Sequence, residues 1–224
     1  MTSPSTRTPR FRSVAVAAVA AACCVAPAAA SAHGGHLPDA EILATNNTAV
    51  ITDPADPRLD DELRGFERKV ERIIRRGGGD PEGSRLLDGV FFSSDLGTTT
   101  FERSRDFDVD DVTPNELREI GDTVRRRFGQ QSVLTFDYPE RPWHPVDAVE
   151  VEVPGLDAQS LRDGLLGDAE ARERLFGGSV TLDGRLLLIA GLEDLELVER
   201  FVTGIGGDFD AATIRPGRRE FVGF

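Results

Sequence analysis

The chain has 224 residues, of which 26 are lysine or arginine and 39 are aspartate or glutamate, giving a formal net charge of −13. Such an acidic chain repels nucleic acid backbones and anionic membrane surfaces, so we expect neither as a partner. The length is sufficient for one large domain or two small ones, each with a modest core of its own.

The first 32 residues have the pattern of a secretory signal segment. Three arginines without any acidic residue precede an apolar stretch over residues 14–22, and small residues end at Ala30-Ser31-Ala32. The apolar stretch is much shorter than the roughly 20 residues that a membrane-spanning helix needs. We therefore predict a secreted protein with a signal peptide over residues 1–32, a flexible tail over residues 33–40 and no transmembrane segment.

Removal of this segment changes the chemistry of the chain. Both cysteines, Cys23 and Cys24, lie within it, so the processed chain has no thiol for disulfides, metal sites or catalysis. Taking three arginines from 26 basic residues leaves 23 against 39 acidic ones, a net charge of −16. Lipid attachment at Cys23 is the alternative to release of the protein, because small residues precede this cysteine.

The first half, residues 41–138, has the pattern strand, helix, strand, strand, helix, strand. Apolar residues at steps of three and four mark both helices, and the second opens with the capping box Thr113-Pro114-Asn115-Glu116. The glycine-containing turn Asp95-Leu96-Gly97 joins the two middle strands as a hairpin. The predicted elements are strand 42–52, helix 59–76, strands 86–92 and 98–109, helix 114–128 and strand 131–138.

The second half, residues 147–224, repeats this order. Val149, Val151 and Val153 alternate with Glu150 and Glu152, the pattern of a strand with one buried face. The dipeptide Asp183-Gly184 between two apolar runs is a strong hairpin signal. The predicted elements are strand 149–153, helix 157–175, strands 179–182 and 185–190, helix 192–205 and a strand-like tail over 209–224.

This repeated order predicts an α+β protein of two tandem ferredoxin-like (βαββαβ) units. Each unit would have an antiparallel sheet with helices on one face, and the Pro- and aromatic-rich residues 139–146 would link the two. The uncovered sheet faces are where the halves would pack together or bind a ligand. Because this fold occurs in proteins of many functions, it predicts no activity.

The sharpest hypothesis for a specific site concerns the processed N-terminus. Cleavage after Ala32 leaves a free amine on His33, and His36 adds a second imidazole, so the two residues can chelate a copper ion. The alternative is a tail without function, since the familiar amine-terminal copper chelate has histidine third and not fourth.

Residues 106–111 alternate aspartates with apolar residues, like the start of a calcium-binding loop. Asp111 stands where an EF-hand needs glycine, and Leu117 stands where it needs glutamate, so an EF-hand is excluded. We expect Phe107 and Val109 to face the core and the aspartates to face water, with weak surface calcium binding as the alternative.

Two further groups of side chains are candidates for ligand binding. Trp143 and His144 lie in the linker, where they either bind a ligand or pack between the halves. Ser93, Ser94 and Asp95 place polar groups at the hairpin tip, and ordinary turn chemistry explains them equally well.

The sequence therefore predicts a secreted, acidic binding or interaction protein without enzymatic activity or cofactor. Its ligand would be a protein or a small molecule, and a cationic one matches the charge of the chain. One alternative is an extracytoplasmic copper-binding protein that uses His33 and His36. The other is an enzyme with a site between the halves, in which His144 acts beside carboxylates.

Overall fold

The structure is a computed structural model that describes residues 38–138 and 146–223. The predicted signal segment, the tail up to residue 37 and residues 139–145 of the linker lie outside these ranges. The strands are β1 (Ala40–Ala44), β2 (Asp80–Ser93), β3 (Thr98–Asp110), β4 (Val133–Asp137), β5 (Ala148–Pro154), β6 (Gly177–Thr181), β7 (Arg185–Gly191) and β8 (Thr213–Val222). The α-helices are α1 (Arg64–Gly77), α2 (Pro114–Phe128), α3 (Ala158–Gly167), α4 (Ala169–Arg174) and α5 (Leu195–Gly204).

All of these strands belong to one closed antiparallel barrel, in the order β1-β3-β2-β6-β7-β5-β8-β4. Two of the pairings join the halves of the chain. Leu87 to Phe91 of β2 pair with residues 177–181 of β6, and residues 133–137 of β4 pair with residues 218–222 of β8.

The predicted fold class is therefore wrong. Two separate ferredoxin-like sheets would each leave the backbone groups of their outer strands unpaired. Here the outer strands β2 and β4 of the first half bond to β6 and β8 of the second, and a single barrel closes. Periodicity indicates which segments form strands. Because any strand of suitable length offers the same backbone donors and acceptors, periodicity does not identify the strand with which it pairs.

The helices pack outside the barrel on two apolar cores. The core under α1 and α2 contains Ile42, Phe66, Val70, Ile74, Phe107, Val109, Ile120 and Val124. The core under α3, α4 and α5 contains Val149, Val151, Val153, Leu161, Leu165, Leu186, Leu188, Val198 and Phe201. Each core fills one face of its strands, which leaves the opposite face turned to the barrel interior.

The starts of the two helices in the first half are set by local chemistry. The capping box is confirmed at α2, where the Thr113 amide donates to the Glu116 carboxylate and the Glu116 amide donates to the Thr113 hydroxyl. α1 begins later than predicted, because Leu63 has a left-handed φ of 53° and residues Pro57–Asp60 form a separate 3-10 turn.

Charged residues occupy the inner face of several strands. In β3, Phe107 and Val109 pack under the helices as predicted, so Asp106 between them points into the barrel. Asp106 is 1% exposed and Glu150 of β5 is 0% exposed, so the expectation that these carboxylates face water is wrong. Closure of the barrel turned the second face of the sheet from a surface into an interior.

Candidate functional site

The barrel interior holds a group of charged side chains that we call the lumen cluster. Strand register brings its members together, since Asp106 lies opposite Arg85 and Glu150 lies opposite Arg215. The lumen cluster consists of the carboxylates of Glu41, Asp106, Asp108, Glu150 and Glu152 and the guanidinium groups of Arg85, Arg185 and Arg215.

Arg85 of β2 contacts carboxylates from three other strands. Its Nη2 is 2.6 Å from Asp106 Oδ2 and 3.7 Å from Glu41 Oε1. Its Nη1 is 3.3 Å from Glu152 Oε1, an oxygen that also lies 3.4 Å from Arg185 Nη1. One guanidinium thus ties β1, β3 and β5 to β2 across the interior.

Arg215 of β8 likewise contacts carboxylates from two other strands, β1 and β5. Its Nη2 is 3.0 Å from Glu41 Oε1 and also bonds Glu150 Oε1. Its guanidinium carbon lies 4.6 Å from the ring centroid of Tyr138, whose hydroxyl donates a hydrogen bond to Glu150 Oε2. Both oxygens of Glu150 are therefore occupied.

Three carboxylates converge without enough donors to satisfy them. One oxygen from each of Glu41, Asp106 and Asp108 lies within 4.8 Å of the others. Glu41 Oε2 and Asp106 Oδ1 are buried and have no hydrogen-bond partner among the described residues. A buried carboxylate oxygen without a partner is destabilising, so this arrangement calls for a proton or a cation.

The lumen cluster carries an excess of acid. Five carboxylates face three guanidinium groups, so full ionisation leaves two uncompensated negative charges. Burial raises the pKa of Glu41 well above its ordinary value, and the charges of Asp106 and Glu150 raise it further. Burial also raises the pKa of Asp106 to about 7, although Arg85 opposes the shift.

The pKa of Glu150 shifts in the opposite direction to that of Glu41 and Asp106. Burial acts to raise its pKa, but hydrogen bonding with Glu41, the charge of Arg215 and the Tyr138 hydroxyl outweigh burial and lower it. Of these two neighbouring carboxylates, Glu41 therefore holds a proton more readily than Glu150.

Among the described residues, Asp106 and Asp108, from the segment for which the sequence left weak surface calcium binding as the alternative, belong to the lumen cluster, whereas Ser93, Ser94 and Asp95 do not. Ser93 ends β2, and Ser94 and Asp95 are exposed in the following turn, where the Leu96 amide donates to Ser93 Oγ at 3.4 Å. The sequence candidates that lie outside the described residues are His33, His36, Trp143 and His144.

Sequence reasoning missed the members of the lumen cluster although part of their signal was visible. Asp106 and Asp108, like Glu150 and Glu152, alternate with apolar residues, and the sequence predicted that these acidic side chains face water, with weak surface calcium binding as the alternative for the aspartates. The additional signal was an arginine at matching register on a neighbouring strand, as for Arg85 opposite Asp106. That match becomes readable only when the strand partners are known.

Two clefts on the outside of the barrel are small. One, of about 260 Å³, is lined by Asn46, Leu63, Lys69 and Phe128 among others. The other, of about 230 Å³, lies beside Asp88 and Arg103. Both are below the range of about 300–1,000 Å³ that is typical of sites for organic ligands.

Glu102 shares the inner face of β3 with Asp106 but lies outside the lumen cluster, and burial raises its pKa to about 7. Its unfolded-state pKa is near 4.5, so stability falls as the pH rises from about 4.5 to 7, because the unfolded chain ionises first. We expect Glu102→Gln to raise the free energy of unfolding by up to about 3 kcal/mol at pH 8 and to change it little at pH 4. Urea unfolding at the two pH values measures this, and an equal effect at both would contradict it.

None of the helices within residues 38–138 and 146–223 is both long enough and apolar enough to span a membrane.

Comparison with known proteins identifies no family. No protein-family model matches the chain, and no protein of curated function is similar to it in sequence. One solved structure, described as a "putative glycine cleavage system transcriptional repressor", is 15% identical, covering 81% of this chain and 98% of that one, with a TM-score of 0.22. Similarity at this level carries no argument about fold or function.

Proposed function

We propose that this chain is an exported, non-enzymatic binding protein whose ligand is a cation held among the side chains of the lumen cluster. The observation that carries the proposal is the convergence of Glu41, Asp106 and Asp108 with two buried oxygens that have no partner. Export is inferred from the basic, apolar and small-residue segments of residues 1–32.

The character of the interior supports a small cation over an organic ligand. The lumen cluster has two more carboxylates than guanidinium groups, so a cation would neutralise charge that the protein itself leaves uncompensated. The two outer clefts are too small for a typical organic ligand. The net charge of −13 also attracts cations to the molecule as a whole.

Thermal unfolding of the processed protein tests this function. Melting temperatures are recorded at pH 7.5 and constant ionic strength with potassium, magnesium, calcium, manganese or spermidine, and choline chloride as the reference. A ligand that binds only the folded state raises the melting temperature in a saturable way. We expect such a rise with at least one of these cations.

The reference salt separates site binding from screening of surface charge. Screening depends on ionic strength and not on the identity of the cation. If every cation gave the same melting temperature as choline, the proposed function would be wrong.

A further inference from the structure

We propose that the cation is a divalent ion of the calcium class, bound by the carboxylates of Glu41, Asp106 and Asp108. This inference rests on the proposed function and names its ligand.

The available donors select a hard ion. Residues 38–138 and 146–223 contain no histidine and no cysteine, so the barrel interior offers neither imidazole nor thiolate. Carboxylate and water oxygens suit calcium, magnesium and manganese, whereas copper and zinc favour nitrogen and sulfur ligands. The ligand set of the lumen cluster is thus one of oxygens only.

The arrangement of the oxygens accommodates a calcium ion. Oxygens on opposite sides of a calcium ion lie about 4.6–5.2 Å apart, since each Ca–O bond is about 2.3–2.6 Å. One oxygen from each of the three carboxylates lies within 4.8 Å of the other two, so these oxygens fit into one calcium coordination sphere. Magnesium, with bonds of about 2.0–2.1 Å, demands strict octahedral geometry, whereas calcium accepts the irregular geometry of carboxylates fixed on two neighbouring strands.

A cation can be bound without breaking the ion pairs of the lumen cluster. Glu41 uses Oε1 for Arg215 and leaves Oε2 without a partner, while Asp106 uses Oδ2 for Arg85 and leaves Oδ1 without a partner. The two arginines would fix the orientation of the carboxylates, and the remaining oxygens would face the ion. A charge of +2 also equals the excess negative charge of the lumen cluster.

Asp108 is the proposed ligand that lies closest to solvent. It is the one carboxylate of the three that is only partly buried, and it lies near the end of β3. Opposite it, Gly83 of β2 has no side chain, and a Cβ there would lie 3.4 Å from Asp108 Oδ2. Asp80 of β2 and Asp110 of β3 are register partners at the same end of the barrel. Their negative charges attract cations to this end of the barrel.

Protons compete with the ion for these carboxylates. A carboxyl group that holds a proton binds calcium less well, so calcium binding weakens as the pH falls. The charged groups that face the site are the other members of the lumen cluster. Arg85, Arg185, Arg215 and Glu152 would keep their ion-pair contacts when the ion is bound.

Calcium titration of the processed protein tests the assignment, with thermal unfolding and calorimetry as readouts. At a calcium concentration about 100 times the dissociation constant, we expect the melting temperature to rise by about 5–10 °C. Asp108→Asn, at the partly buried position, should abolish the rise while leaving the protein folded. Glu102→Gln is the matched control, because it removes a carboxylate from the same face of β3 outside the lumen cluster and should keep the rise.

The outcomes separate this inference from the proposed function. An equal calcium response in Asp108→Asn and Glu102→Gln would place the ion elsewhere and overturn the assignment. If potassium or spermidine stabilised the protein and no divalent ion did, the calcium assignment would fail and the proposed function would stand. If no cation acted, the lumen cluster would be satisfied by a proton alone, and both proposals would fail.

Discussion

Replacing Arg215 with methionine should lower the free energy of unfolding by about 3–5 kcal/mol, because the change leaves the buried Glu150 without its guanidinium partner and Glu41 with only the more distant Arg85. Arg215 bonds Glu41 and Glu150, both 0% exposed, and its own side chain is 15% exposed. Methionine preserves much of the side-chain volume and removes the charge together with the hydrogen-bond donors of the guanidinium group. Urea unfolding followed by circular dichroism at pH 7.5 measures the effect.

Arg218→Met is the matched control on the same strand. Arg218 pairs with Asp137 at 3.2 Å, but its side chain is 41% exposed, and such pairs contribute about 0–1 kcal/mol. In the Arg215→Met background, Glu150→Gln should recover part of the loss by removing one stranded charge. A loss no larger than that of Arg218→Met would show that the lumen cluster is more hydrated than its burial implies.

Gly177→Val should lower the free energy of unfolding by about 3 kcal/mol or more, because no side chain fits where β6 meets β2. A Cβ on Gly177 would lie 2.3 Å from the carbonyl oxygen of Val90 and 2.7 Å from the Cα of Phe91. Both atoms belong to the backbone, so the strands themselves must separate, and overpacking of this kind costs about 1–3 kcal/mol or more. Amide hydrogen exchange should show faster exchange at residues 87–91 and 177–181.

Gly65→Val provides the same substitution without the clash. Gly65 is the second residue of α1, and a Cβ there would meet no atom within 4 Å. Valine is also a better helix former than glycine, so stability should stay constant or rise slightly. If Gly177→Val were as harmless as Gly65→Val, the pairing of β2 with β6 would be wrong, and with it the closed barrel.

Local chemistry made several elements predictable. The Thr113 capping box starts α2, and the hairpin turns at Asp95-Leu96-Gly97 and Asp183-Gly184 join antiparallel strands as predicted. Each of these signals acts between residues only a few positions apart, so the sequence contains all that is needed to recognise it. The alternation of Phe107 and Val109 with aspartates likewise identified the face that packs under the helices.

The candidate site was not predictable in the same way. Glu41 and Arg215 are 174 positions apart, and only the pairings of β1 with β4 and of β4 with β8 bring them together. An alternating strand reads the same whether its polar face meets water or a closed interior. The carboxylates of β3 and β5 were therefore recognised as a pattern but assigned to the wrong surroundings.

The sequence by itself determined the order of the main strands and helices and which strand faces are apolar, because propensity, capping and periodicity act over a few residues. It also determined the acidic balance and the lack of thiols beyond residue 24. Only the tertiary structure decided that β2 closes on β6 and β4 on β8. That closure withdrew the polar strand faces from water, paired most of their charges, and left Glu41, Asp106 and Asp108 together in the interior.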